Sequence, residues 1–179
     1  MSWGGGEFPS EVLGDPAFTE PGVVYFASRG DSPGVSYPAA SPNVVAVGGT
    51  SLSFDPGTGQ FIGENTWQDT GGGLSKYKAR PTYQDGNVAK IVGAHRGTPD
   101  IASDANPATG VWVWNSAYVG FGAWFIVGGT SVSSPTWAGI VNAAGSFASS
   151  SQDELTQLYA APQADFTGTK VGKDRKSVV

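Results

Sequence analysis

Cysteine is absent from the chain. That excludes disulfides, thiol catalysis and zinc–thiolate sites, and leaves the compartment open. Histidine occurs once, so any imidazole base has to be His95. Charged residues are only 14% of the chain and the formal net charge is −5, which argues against a nucleic-acid partner. No apolar run reaches the length of a membrane span, and the first residues hold neither a basic nor a long apolar region, so no signal peptide is expected. What is abundant is glycine (27), proline (12) and aromatic side chains. Together they point to short strands and tight turns around a packed core. At 179 residues the chain is one domain or part of one.

The pentapeptide Val-Gly-Gly-Thr-Ser occurs twice, at 47–51 and 127–131. The first copy runs into Leu52-Ser53-Phe54-Asp55-Pro56, a strand followed by a turn. The second runs into small residues and Pro135, which suits the first turn of a helix. The helix is expected over about 133–144. Ser131 then lies on a glycine-rich turn at a helix N-terminus, where free N–H groups and the helix dipole favour an oxyanion. This makes Ser131 a candidate nucleophile of the serine-peptidase kind.

Apolar runs at 23–27 and 44–47 read as buried parallel strands, and 111–114 with 123–127 as two further strands joined by a turn. Residues 55–69 read as a surface hairpin, 7–19 as a broken helix and the stretch from Gly71 as a loop. Ser151 to Glu154 forms a capping box for a second helix, ending near Pro162. Strands alternating with helices imply an α/β sandwich with a mostly parallel sheet. From 169 the chain turns basic and reads as a divergent, disordered tail, so the expected domain is 1–168 and the tail 169–179.

An ordered series of motifs resembles the sedolisins, the serine-carboxyl peptidases. Ser2-Trp3-Gly4-Gly5-Gly6-Glu7 resembles that family's Ser-Trp-Gly segment on the substrate cleft. Phe26 to Asp31 resembles its Ala-Ser-Ser-Gly-Asp turn. Tyr37 to Val44, Val47 to Thr50, Trp67, Gly71 to Ser75 and Pro99 to Ala102 follow in order, and Gly128 to Pro135 is similar to the nucleophile motif. The resemblance extends to about Gly168. It implies a subtilisin-like three-layer sandwich, incomplete at its N-terminal side and with its C-terminal end left open. It also implies an endopeptidase acting at acid pH on polypeptides, extracellular and monomeric.

By the same resemblance Ser131 is the nucleophile and Asp31 the oxyanion-hole residue. A carboxyl group donates a hydrogen bond only when protonated, which favours acid. The family's base is a glutamate with an orienting aspartate four residues on, upstream of the Ser-Trp-Gly segment, so this chain alone is expected to be inactive. Glu11 and Asp15 have that spacing but follow the segment, and read as solvated charges on a helix face. Arg29 stands where the family has serine and is expected to favour the charged form of Asp31; the tripeptide Arg29-Gly30-Asp31 is too short to carry an adhesion function. Asp165 and Phe166 resemble the opening of the family's calcium site, whose second half is not matched. Asp100 and Asp104 are expected to brace turns, Glu7 to line a pocket or favour a helix N-terminus, and Trp3 and Trp67 to pack. Two alternatives stay open: a non-catalytic fragment or pseudo-enzyme of the same fold, and a subtilisin-type hydrolase using His95 as base. In the latter arrangement the histidine lies far upstream of the serine, unlike His95.

Overall fold

A computed structural model describes residues 1–86, 88–162 and 166. In chain order the strands are β1 (Gly5–Gly6), β2 (Phe26–Ser28), β3 (Ser36–Tyr37), β4 (Val45–Phe54), β5 (Phe61–Thr66), β6 (Gly73–Ala79), β7 (His95–Thr98), β8 (Ile101–Asp104), β9 (Val111–Asn115) and β10 (Ala123–Val127). The helices are α1 (Ala89–Val92), α2 (Thr130–Ala144) and α3 (Ser151–Ala160), and a 3-10 segment covers Pro9–Phe18. The expected tail, 169–179, lies outside the described residues.

The core is built on β4. Its first half pairs in parallel with β2, its middle in parallel with β8, and its far end antiparallel with β5. Alternation along a strand sends successive side chains to opposite faces. Val45 and Val47 join Phe26, Ile101 and Leu155 on one face, against Trp137 and Val141 of α2. Val44 and Ala46 join Ala27 and Ala39 on the other, against Phe18 and Tyr25. Both faces are therefore covered, as the continuous apolar runs implied. The sheet between its two covering layers is the expected α/β sandwich, parallel at its centre. The β1–β3, β6–β7 and β9–β10 pairs around it are antiparallel.

A buried ion pair ties this sheet to its surroundings. Arg96 donates Nη1 to Asp100 Oδ1 and Nη2 to Asp100 Oδ2, both at 2.6 Å, with neither side chain exposed. Asp100 Oδ2 also accepts the Ala46 amide of β4 at 2.7 Å, and Oδ1 the Tyr159 hydroxyl of α3 at 2.8 Å. The carboxylate thus has four donors, the number needed to hold a charge away from water. The expected turn-bracing role for Asp100 is too small: it joins β4, β7 and α3. Asp104 does brace a turn, accepting from the Thr109 hydroxyl at 2.7 Å.

Several local expectations shift. The cap of α3 is Ser150, whose hydroxyl accepts the Asp153 amide, one residue earlier than expected. Ser151 is free to accept the Tyr25 amide at 2.8 Å, which ties α3 to the β2 segment. The stretch after Gly71 is strand β6 rather than loop, because β7 pairs with it. The β9–β10 hairpin forms as expected but is exposed, with Trp112 63% and Trp124 60% accessible. Trp67 packs in the core, whereas Trp3 is exposed.

Removing Asp100 leaves a guanidinium buried without its counter-charge, so Asp100→Ala is expected to cost about 3–5 kcal/mol. Tyr159→Phe removes one hydrogen bond from the same carboxylate and is expected to cost about 1 kcal/mol. Urea unfolding of the two variants checks this. Equal losses would contradict the network.

Candidate active site

The carboxyl ends of parallel strands are where α/β sheets bind ligands. Here β2 ends at Ser28 and leads directly to Asp31, while β8 ends at Asp104 beneath the first turn of α2. Ser133 of α2 donates to the carbonyl of Ser103 at 2.9 Å, and Trp137 Nε1 to that of Ala102 at 3.1 Å. These two bonds fix the helix on β8, and with it the position of Ser131.

Helix α2 begins at Thr130, three residues before the expected start. The cause is a cap supplied from another part of the chain. Gly129 at the N-cap has a φ of 87° and no side chain to offer. Asp31, 99 positions before Thr130, takes that role: its Oδ1 accepts both the Thr130 amide and the Thr130 hydroxyl at 2.7 Å. The same hydroxyl accepts the Gly30 amide at 3.0 Å. A Cβ on residue 129 would come within 2.4 Å of Asp31 Oδ2, so glycine is required twice over, for φ and for space. A carboxyl oxygen in this place satisfies amides that the first turn of a helix leaves without a partner.

Pro135 falls in the second turn of α2, not the first as expected. It cannot return an N–H to the carbonyl four residues back, which belongs to Ser131. Ser2 supplies the missing donor, its hydroxyl reaching the Ser131 carbonyl at 2.8 Å. Ser2 is held there because Met1 runs beside β2, its carbonyl accepting the Ser28 amide at 2.8 Å. Ser131 is half-buried, with Ser2 and Asp31 brought to either side of its turn.

The other candidates go elsewhere. Ser51, in the first copy of the pentapeptide, accepts from Asn106 Nδ2 at 3.1 Å and is structural. His95 opens β7 opposite Ala79, is exposed, and no hydrogen bond joins it to Ser131. Glu7 accepts the Ser75 hydroxyl and, at 3.1 Å, the Lys76 amide, both of β6. Glu11 and Asp15 are buried, not solvated as expected. Lys78 lies between them, its Nζ 2.7 Å from Asp15 Oδ2 and 3.8 Å from Glu11 Oε1. Glu11 Oε2 accepts the Phe8 amide at 3.0 Å. Arg29 is also buried and donates to the Ser32 carbonyl rather than to Asp31. Of the expected calcium ligands, Asp165 lies outside the described residues, and Phe166 is described as a half-buried bend residue. Among the described residues no group of three or more His, Cys, Asp or Glu side chains is arranged to hold a metal. No helix among them is long and apolar enough to cross a membrane.

Fold and site define a subtilisin-like α/β domain with a serine at the first turn of a helix and a carboxylate against the same turn. No protein-family model matches the chain. Sedolisin of Pseudomonas sp. (strain 101) is 36% identical over 121 residues, 62% of this chain and 19% of that protein. Kumamolisin of Bacillus sp. (strain MN-32) is 36% identical over 169 residues, 79% of this chain and 29% of that protein. The solved Pseudomonas sedolisin, a serine-carboxyl proteinase in complex with pseudo-iodotyrostatin, matches with a TM-score of 0.75 at 27% identity. That match covers 96% of this chain and 55% of the other. The chain belongs to the sedolisin family and corresponds to part of its catalytic domain. It spans less than a third of the length of these curated relatives.

Two outcomes follow from this geometry. Asp31→Ala removes the cap of α2 and is expected to cost about 1 kcal/mol, with Asp31→Asn costing less because its amide oxygen still accepts. Urea unfolding and hydrogen exchange at the Thr130 amide measure both; unchanged exchange in Asp31→Ala would contradict the cap. For Glu11, burial raises the carboxyl above its ordinary value of 4.5, with the Phe8 amide and Lys78 pulling the other way. A raised folded value means that the folded state holds the proton more tightly. The contribution of Glu11 to stability therefore grows as pH falls through the raised value towards 4.5 and levels off below it. The stability difference between wild type and Glu11→Gln, followed against pH, is expected to trace that window; a flat difference would contradict it.

Proposed function

We propose that this chain is the nucleophile-bearing part of a serine-carboxyl endopeptidase that hydrolyses peptide bonds in polypeptides at acid pH. The observation that carries the reading is the Asp31 carboxylate bonded at 2.7 Å to the residue before Ser131, at the N-terminus of α2. In this reading Ser131 Oγ attacks the scissile carbonyl and negative charge develops on its oxygen. Asp31 Oδ1 already accepts two hydrogen bonds, so a proton taken up by this carboxyl resides on Oδ2. The protonated group then donates to the developing oxyanion. A donor aimed at that charge is worth about 10²–10³ in rate.

A serine hydroxyl needs a base. Within the described residues Glu11 and Asp15 are engaged by Lys78, and His95 is not bonded to Ser131. The base is therefore proposed to come from the Glu-x-x-x-Asp pair of the family's catalytic domain, outside this chain, and the chain by itself is proposed to be inactive. A calcium ion held by Asp165 and the Phe166 carbonyl, an extracellular location and a monomeric state remain parts of the same proposal, supported by the family alone.

The test is cleavage of a denatured protein near pH 4, first by the chain alone and then by the chain joined to the portion of Pseudomonas sedolisin that it does not cover. No cleavage is expected in the first case. In the second, cleavage is expected, abolished by Ser131→Ala and reduced about 10²–10³-fold by Asp31→Ala. Cleavage that survives Ser131→Ala, or that peaks at neutral pH and is lost in His95→Ala, would overturn the reading.

A further inference from the structure

The 3-10 segment Pro9–Phe18 is fastened to β6 by charges that do not balance. Glu11 is 1% exposed, Asp15 9% and Lys78 4%. One ammonium is thus set against two buried carboxyls, 2.7 Å from Asp15 Oδ2 and 3.8 Å from Glu11 Oε1. The surrounding groups do not supply the missing positive charge. Glu7, on the same side of the chain, adds negative charge near Glu11, and the cation it favours is Arg29. Tyr37 of β3 lies beside both carboxyls; burial and their charges push its pKa up to about 12, so it stays neutral. Lys76 of β6 is exposed, and meets Glu7 through its backbone amide. A buried charge is costly unless it is paired, so the cluster is balanced only when it holds one proton.

Geometry decides which carboxyl takes that proton. Asp15 makes the short contact with Lys78, and a proton there would break it. Glu11 Oε2 accepts the Phe8 amide, while Oε1 is buried with no hydrogen-bond partner. A protonated Oε1 becomes a donor, and two further buried oxygens of the cluster, Asp15 Oδ1 and the Tyr37 hydroxyl, also lack partners. Burial raises the Glu11 carboxyl in the same sense. What the cluster holds is more than its own segment. Gly14 packs so closely on β3 that a Cβ there would fall 2.5 Å from the Tyr37 hydroxyl. Upstream, Gly5 and Gly6 pair with Tyr37 and Ser36, the Met1 carbonyl accepts the Ser28 amide, and Ser2 reaches the Ser131 carbonyl.

We propose that Glu11, Asp15 and Lys78 form a proton-operated latch, which fastens residues 1–18 to β3 and β6 in acid and loosens them as Glu11 ionises. The latch stands apart from the peptidase reading, since it concerns how the chain is held and not what it cleaves. A carboxyl whose pKa is raised by docking binds its proton more tightly in the docked segment. Docking is therefore strongest below the ordinary value of 4.5 and weakens as pH rises through the raised one. For each unit by which docking raises Glu11, ionisation weakens docking about tenfold.

Hydrogen exchange on the full chain, followed by heteronuclear NMR from pH 4 to pH 7.5 and corrected for the intrinsic pH dependence of exchange, tests the latch. The Lys76 amide, bonded to Glu7, and the Ser28 amide, bonded to Met1, report on the segment. The Asp100 amide, bonded to the Ala46 carbonyl at 2.9 Å, reports on the core. In wild type, protection of Lys76 and Ser28 relative to Asp100 is expected to fall about tenfold or more across the range. In Glu11→Gln, which is uncharged at every pH, it is expected to keep its acid level throughout. A flat ratio in wild type, or the same fall in Glu11→Gln, overturns the latch. Should Glu11→Gln not fold, the Glu11 carboxyl carbon is titrated in wild type instead. A midpoint above 4.5 that coincides with the fall in protection supports the latch, and any other midpoint overturns it.

Discussion

The bidentate pair between Arg96 and Asp100 is the interaction on which the remaining architecture depends. Two charges with no exposure are stable only if they are paired and further hydrogen-bonded, and here the demand falls mainly on the carboxylate. Asp100 meets that demand by drawing on three elements: the Ala46 amide of β4, the Arg96 guanidinium of β7 and the Tyr159 hydroxyl of α3. Arg96 reaches further, donating to the Val44 carbonyl at 3.3 Å. The pair's net contribution to stability is smaller than its geometry suggests, because both groups lose water. Through the Ala46 amide the pair also anchors Asp100, the residue before β8, against β4. The register of β8 on β4 aligns Ile101 with Val47 and Asp104 with Thr50, and so sets where the strand ends and α2 docks.

Once the strand ends are aligned, a single carboxylate joins them. Asp31 follows β2 and caps α2, so the turn after one parallel strand completes the helix that follows another segment entirely. The cap is a local solution to a local deficit, the absence of a side chain at Gly129. Its consequence is chemical: a carboxyl group and the Ser131 turn are held against one helix N-terminus. The Ser2 contact is a second repair of the same kind. Pro135 leaves the Ser131 carbonyl without a helical donor, and Ser2 provides one. Two departures from regular helix geometry thus bring the Ser2 and Asp31 segments to the residue proposed to react.

Much of this was legible in the residues themselves. The run 44–47 is wholly apolar because both faces of its sheet are covered, and the pattern reads directly; of the run 23–27 only Phe26 and Ala27 lie in β2, and Val23 is exposed. The glycine-rich turn before α2 was legible too, since small residues and a proline mark the place. What could not be read was anything decided by a distant partner. Glu11 and Asp15 have the spacing of solvated helix charges, and only Lys78, 63 positions beyond Asp15, reverses that reading. The start of α2 shifted for the same reason, because its cap comes from Asp31. Arg29, two residues before Asp31, suggested an electrostatic effect on that carboxyl, yet its side chain turns to Ser32 and the loop at Gly71. The aromatic hairpin β9–β10 reads as strand in the sequence, but alternation alone does not say whether a strand is covered.

The central claim is that Ser131 and Asp31 form one site. A peptide aldehyde tests it without requiring a base, because addition is reversible and a base alters its rate rather than its equilibrium. The Ser131 O–H adds across the aldehyde carbonyl, forming an Oγ–C bond and moving the proton to the new hydroxyl. The decisive measurement is a crystal structure of the chain equilibrated with such an aldehyde near pH 4. A hemiacetal on Ser131 is expected, its oxygen about 2.5–3.0 Å from an Asp31 carboxyl oxygen, the range of an O–H···O hydrogen bond. An aldehyde bound without a bond to Ser131, or an adduct whose oxygen points away from Asp31, would contradict it.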